Sequence, residues 1–115
     1  MTGDRHTFYL DTLIKNFRRI DEDPTRIHWV SKEGILLREG YRAKSQMALC
    51  DLLIGFHDGT GLCVELKASP AKRDHALEQL ANGKNLMEET MKYWFVRQKI
   101  VYYTKGLYTF EEIWD

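Results

Sequence analysis

Met47-Ala-Leu-Cys-Asp-Leu-Leu-Ile-Gly-Phe-His-Asp-Gly-Thr-Gly-Leu-Cys-Val-Glu-Leu-Lys67 is the stretch that decides the fold. It reads as two apolar strands joined by a tight turn, interrupted by three charged residues: Asp51, Glu65 and Lys67. The phase of the turn decides whether those three meet. A loop of His57-Asp58-Gly59, with the glycine in the left-handed position, pairs Phe56 with Thr60 and, counting outward, Asp51 with Glu65. Lys67 follows Glu65 by two and shares its face. A two-residue Asp58-Gly59 turn would shift the register by one and send Asp51 to the opposite face. The first register is preferred. It gathers two carboxylates and an ammonium, and leaves Leu52, Ile54, Phe56, Leu62, Val64 and Leu66 together on the other face.

Adjacent carboxylates repel and raise each other's pKa unless a cation sits between them. A hard ion such as Mg2+ suits an oxygen-only site of one or two carboxylates plus substrate phosphate. An ammonium beside it orients a water or stabilises an oxyanion. These are requirements for hydrolysing a phosphodiester. The competing explanation is a structural salt-bridge cluster, which adds little net stability when buried.

Asp51 followed by Glu65-Leu66-Lys67 at the end of the next apolar strand resembles the signature of the PD-(D/E)XK nuclease superfamily. The likeness covers residues 8–103 as an order of elements and the hairpin as a motif. Cys50 stands where the family usually has a proline, and Asp11 or Asp4 are what the first helix offers where many members carry a glutamate. The resemblance implies a restriction-endonuclease-like αβββαβ sandwich with a mixed central sheet. It implies Asp51, Glu65 and the Leu66 carbonyl as metal ligands and Lys67 as the residue that positions or activates water. It also implies Mg2+ as cofactor, with Mn2+ able to substitute, DNA as substrate with RNA left open, and a homodimer. The expected activity is endonucleolytic, with junctions or flaps as candidate structures. The alternative is an inactive nuclease fold that binds nucleic acid or a protein partner.

The rest of the chain supplies the frame. At 115 residues it is long enough for one domain with a core. Hydrophobic residues make up 43% and charged residues 30%, an ordinary globular composition. Lysine plus arginine and aspartate plus glutamate number 17 each, so only a local basic patch could hold a polyanion. Arg42, Lys44, Lys72 and Arg73 are the candidates for phosphate contact. Cys50 and Cys63 fall inside the apolar hairpin and read as buried thiols. No apolar run is long enough to cross a membrane, and a cytoplasmic location is expected. The four histidines show no ligand spacing, which argues against zinc.

Phe8, Leu10, Leu13, Ile14, Phe17 and Ile20 recur at helical spacing, predicting a helix over 7–20, after a frayed start and before a solvated Asp21-Glu22-Asp23 turn. Residues 26–30 predict a short strand and 35–41 another. Ser69-Pro70 predicts an N-cap with proline at the first helical position, opening a helix to about Met91. Gln79 and His75 lie on its polar stripe and are candidates to assist the site, Gln79 as a catalytic residue. Residues 93–96 and 100–103 predict two further strands, and 109–114 a capped final helical turn.

Overall fold

A computed structural model describes residues 2–32 and 49–114, with side chains from Arg5 onward. The order is α1 (Thr2–Ile14), β1 (Ile27–Lys32), β2 (Leu52–Phe56), β3 (Thr60–Lys67), α2 (Arg73–Asn85), β4 (Phe95–Thr104) and β5 (Leu107–Ile113). Short 3-10 turns precede β1 and α2, and a π-helical turn, Leu86–Thr90, extends α2. The fold is α/β. One mixed sheet runs β1-β2-β3-β4-β5, antiparallel except for the parallel β3–β4 pair, which α2 connects. Among the described residues no helix is long and apolar enough to span a membrane.

The two helices occupy opposite faces, as period-two side-chain alternation in the strands requires. Leu10, Leu13, Phe17 and Ile20 pack on Leu52, Ile54, Phe56, Leu62, Val64 and Leu66. On the other face Ala76, Leu80, Leu86 and Met87 cover Leu53, Cys63, Val96 and Ile100. Here α2 comes very close to the hairpin: a Cβ on Gly83 would lie 2.6 Å from Cys50 Sγ. Both cysteines are free and buried.

Several expectations change. The first helix starts earlier, at Thr2, and ends at Ile14; Asn16 then accepts a hydrogen bond from Arg18 N and opens a separate 3-10 turn. Phe8 is exposed. The acidic turn is not merely solvated, because Glu22 is buried against Arg97 and Lys99. Those two cations therefore do not interrupt a strand: β4 runs unbroken through both. The final segment is strand, not helix. Lys105 and Gly106, both at positive φ, form a two-residue turn between β4 and β5, the geometry that matches strand twist. Glu111 and Glu112 then alternate to opposite faces, each meeting a cation. The strand expected over 35–41 lies outside the described residues.

Candidate active site

The hairpin has the expected register. Leu52 pairs with Val64 and Ile54 with Leu62, which puts Asp51 opposite Glu65 just beyond the end of β2. Gly59 closes the loop at φ +86°, and Asp58 accepts hydrogen bonds from the Thr60 amide and hydroxyl. The Ser69 N-cap is also as expected, its hydroxyl accepting from Ala71 N with Pro70 at the first position.

At the end of the hairpin the groups interlock. Asp51 N donates to Glu65 Oε1 (2.9 Å), and Leu66 N donates to Asp51 Oδ2 (2.8 Å). Lys67 Nζ lies 3.1 Å from Glu65 Oε2. The Leu66 side chain turns into the opposite core, leaving its backbone at the site.

His6 is the participant that sequence reasoning missed. Its Nε2 lies 3.2 Å from Asp51 Oδ2 and 3.3 Å from the Leu66 carbonyl oxygen. The signal was present: His6, Leu10, Leu13 and Phe17 follow i, i+4, i+7 and i+11, so the buried stripe of α1 extends one turn back. Asp11 is elsewhere, held by Lys32 Nζ at 2.6 Å. The Asp4 side chain lies outside the described ones.

The electrostatics favour a proton on the more buried of the two carboxyls. Burial pushes the Glu65 carboxyl up to about 8, and the Asp51 charge adds to the rise; the Lys67 ammonium and the Asp51 amide oppose it. The hydrogen bond to Asp51 raises His6, outweighing its partial burial. The imidazole is thus favoured as a cation at the spot shared by two expected metal ligands.

The donor set fits a hard divalent ion. Asp51, Glu65 and the Leu66 carbonyl offer only oxygen, and Asp51 Oδ1 lies outside the contacts above. Gln79 Oε1 is buried without a hydrogen-bond partner among the described residues. Gly83 packs on Cys63. One helical turn back, about 6 Å, spans about two strand residues and brings Gln79 level with Glu65. Among the described residues no group of three or more His, Cys, Asp or Glu side chains is arranged as a metal centre. Two carboxylates and a carbonyl form a sparser set that relies on water and substrate for its remaining positions.

The other candidates scatter. Arg73 is hydrogen-bonded to Glu111, with NH2 2.6 Å from Oε1. Lys72 and His75 are exposed at the start of α2. Arg42 and Lys44 lie outside the described residues. Comparison with protein families, curated proteins and solved structures returns no match.

Proposed function

We propose that the protein is a metal-dependent nuclease of the PD-(D/E)XK type that hydrolyses phosphodiester bonds in DNA. The observation that carries this reading is the meeting of Asp51 and Glu65 beside Lys67, where burial and then the Asp51 charge raise Glu65 to about 8. The element order and the mixed sheet with a parallel β3–β4 pair agree with the restriction-endonuclease-like arrangement.

In this reading Asp51, Glu65 and the Leu66 carbonyl hold Mg2+, or Mn2+ in its place. When bound, the ion polarises the scissile phosphate and offsets the charge that develops on it. Lys67, its ammonium 3.1 Å from Glu65 Oε2, would orient the attacking water and offset the charge that develops on the phosphate. His6 holds Asp51 and the Leu66 carbonyl, two of the residues that would bind the ion, in position. Gln79 offers an acceptor to the site's water, and Lys72 a phosphate contact.

The test is cleavage of labelled duplex, single-stranded, flap and four-way-junction DNA in Mg2+, Mn2+ or EDTA. Cutting should require the metal. Lys67→Ala should lower it by roughly 10²-fold or more, with little change in melting temperature. A Lys67→Ala protein that cuts at the wild-type rate would show that Lys67 is only the salt-bridge partner of Glu65. DNA bound equally with and without metal, and never cut, would leave the fold as a binding module.

A further inference from the structure

We propose that β5 is a dimerisation edge, pairing antiparallel with β5 of a second copy about a two-fold axis through Phe110 to join two five-stranded sheets. Among the described residues β5 is the last strand, bonded only to β4, and its outer row of backbone groups has no strand partner. Exposed edges are normally guarded by charged side chains, lysine above all, or by proline, a bulge or a very short strand; the charges on β5 are Glu111 and Glu112, both paired within the chain. Leu107-Tyr-Thr-Phe-Glu-Glu-Ile113 is seven residues long, contains no lysine or proline, and pairs with β4 without a register shift. Leu107 is 71% exposed, Phe110 41%, and Trp114 just beyond the strand 70%.

The occupant follows from the pattern of the strand. Pairing all seven residues with their symmetry mates places Phe110 opposite Phe110 and Leu107 opposite Ile113. Thr109 then faces Glu111 and Tyr108 faces Glu112. Apolar residues meet apolar ones, and no like charges stand directly opposite. A shift of the axis to Glu111 would oppose that carboxylate to its own mate, a destabilising arrangement. The strand's own acids do not repel a copy, because Arg73 neutralises Glu111 and Arg97 neutralises Glu112 within the chain. A closed two-fold contact of this kind also limits the assembly to two chains.

The axis falls level with the candidate site, since Leu66 pairs with Val101 and Val101 with Phe110. The two Leu66 positions are then five strand spacings apart, about 24 Å, with both sites on one face of the joined sheet. Their use on two strands of one substrate rests on the nuclease reading; the dimer itself does not.

Light scattering on the whole protein should give twice the chain mass, and Phe110→Lys should give the chain mass with an unchanged far-UV spectrum. Opposed Cα atoms in an antiparallel pair lie about 4.5–5.5 Å apart, inside the disulfide window. Phe110→Cys should therefore form a covalent dimer under mild oxidation. Leu107→Cys, far from its own mate, should not. The buried Cys50 and Cys63 leave that readout clean. A wild-type monomer, a Phe110→Lys dimer, or Leu107→Cys cross-linking as fast as Phe110→Cys would each overturn the proposal. Should Phe110→Lys fail to fold, the cysteine pair decides. None of these readouts depends on cleavage, so a dimer without nuclease activity would separate the two proposals.

Discussion

Two buried charge clusters lie on opposite faces of the same sheet, and they are built on different terms. On the α1 face Glu22 sits between Arg97 and Lys99, with Glu112 beside them: two carboxylates and two cations. Lys99 Nζ also donates to the Ile20 carbonyl. Burial pushes Glu22 up, but hydrogen bonds from Arg97 and Lys99 outweigh it and hold the carboxyl below its usual range. At the end of the hairpin Asp51 and Glu65 share Lys67 and His6, itself raised by its hydrogen bond to Asp51, and burial with the Asp51 charge drives Glu65 up to about 8. One cluster is charge-balanced and closed. The other holds its second carboxylate in the ionised form only at a cost. A strongly raised buried carboxyl beside a second carboxylate is the pattern that functional sites share, and it is what the proposed cation site would use. The chain thus carries its own control for the salt-bridge explanation of Asp51, Glu65 and Lys67.

The same kind of substitution in each cluster gives the sharpest contrast. Glu22→Gln removes one of the two carboxylates that Arg97 and Lys99 share, leaving them Glu112, while the Lys99 side chain stays buried, only 3% exposed. Removing one member of a buried pair typically costs about 3–5 kcal/mol. A denaturant titration should show a loss at the lower end of that range, since the amide still accepts a hydrogen bond. Metal-dependent cleavage by the fraction that remains folded should be unchanged. A negligible stability loss would mean that water reaches this cluster and that the comparison between the two is not one of buried pairs.

The next effect in size tests the turn on which the site depends. At φ +86° a residue with a Cβ is strained, and a Cβ on Gly59 would lie 3.0 Å from Trp94 Cδ1. Gly59→Val should destabilise by about 1–2 kcal/mol. Cleavage should fall further than stability does, because a one-residue slip turns Asp51 away from Glu65. Equal losses in both would show that the register survives without the glycine.

Legibility in the sequence divides along similar lines. The hairpin is readable because turn chemistry and strand alternation are local, and they place Asp51 against Glu65 with no knowledge of the rest. The Ser69 cap is readable for the same reason. Glu22 is not: its partners Arg97 and Lys99 lie 75 and 77 positions away, so Asp21-Glu22-Asp23 reads as a polar turn and Arg97-Gln98-Lys99 as a break between strands. The two adjacent acids of β5 hide it, because they suggest a helix start until each is seen to face a different cation. His6 is hidden when α1 is begun at Thr7, the residue just after it, rather than at Thr2, although the stripe it belongs to is visible.

The smallest expected effect is the most diagnostic, because its sign differs between the two explanations. Asp51→Asn removes the neighbouring charge that helps raise Glu65 and supports the protonated His6. In EDTA its melting temperature should equal or slightly exceed that of the wild type, since the introduced amide oxygen can still accept from Leu66 N. Metal-dependent cleavage should be lost. The pH dependence gives the same test a second handle. A carboxyl raised to about 8 in the folded protein, against about 4.3 unfolded, holds its proton more tightly when folded, so stability falls as pH rises across that interval. A raised histidine acts in the same direction, its contribution being lost as pH passes its folded value. Glu22, lowered in the folded state, acts oppositely but only as pH falls through the ordinary carboxylate range. Between roughly pH 6 and 8.5 the metal-free wild type should therefore melt progressively lower, and Mg2+ should restore most of the loss by stabilising the ionised pair. Asp51→Asn should flatten the slope and abolish the rescue. A large drop in the melting temperature of Asp51→Asn in EDTA, with no response of the wild type to Mg2+, would make the hairpin cluster a structural ion pair like that around Glu22.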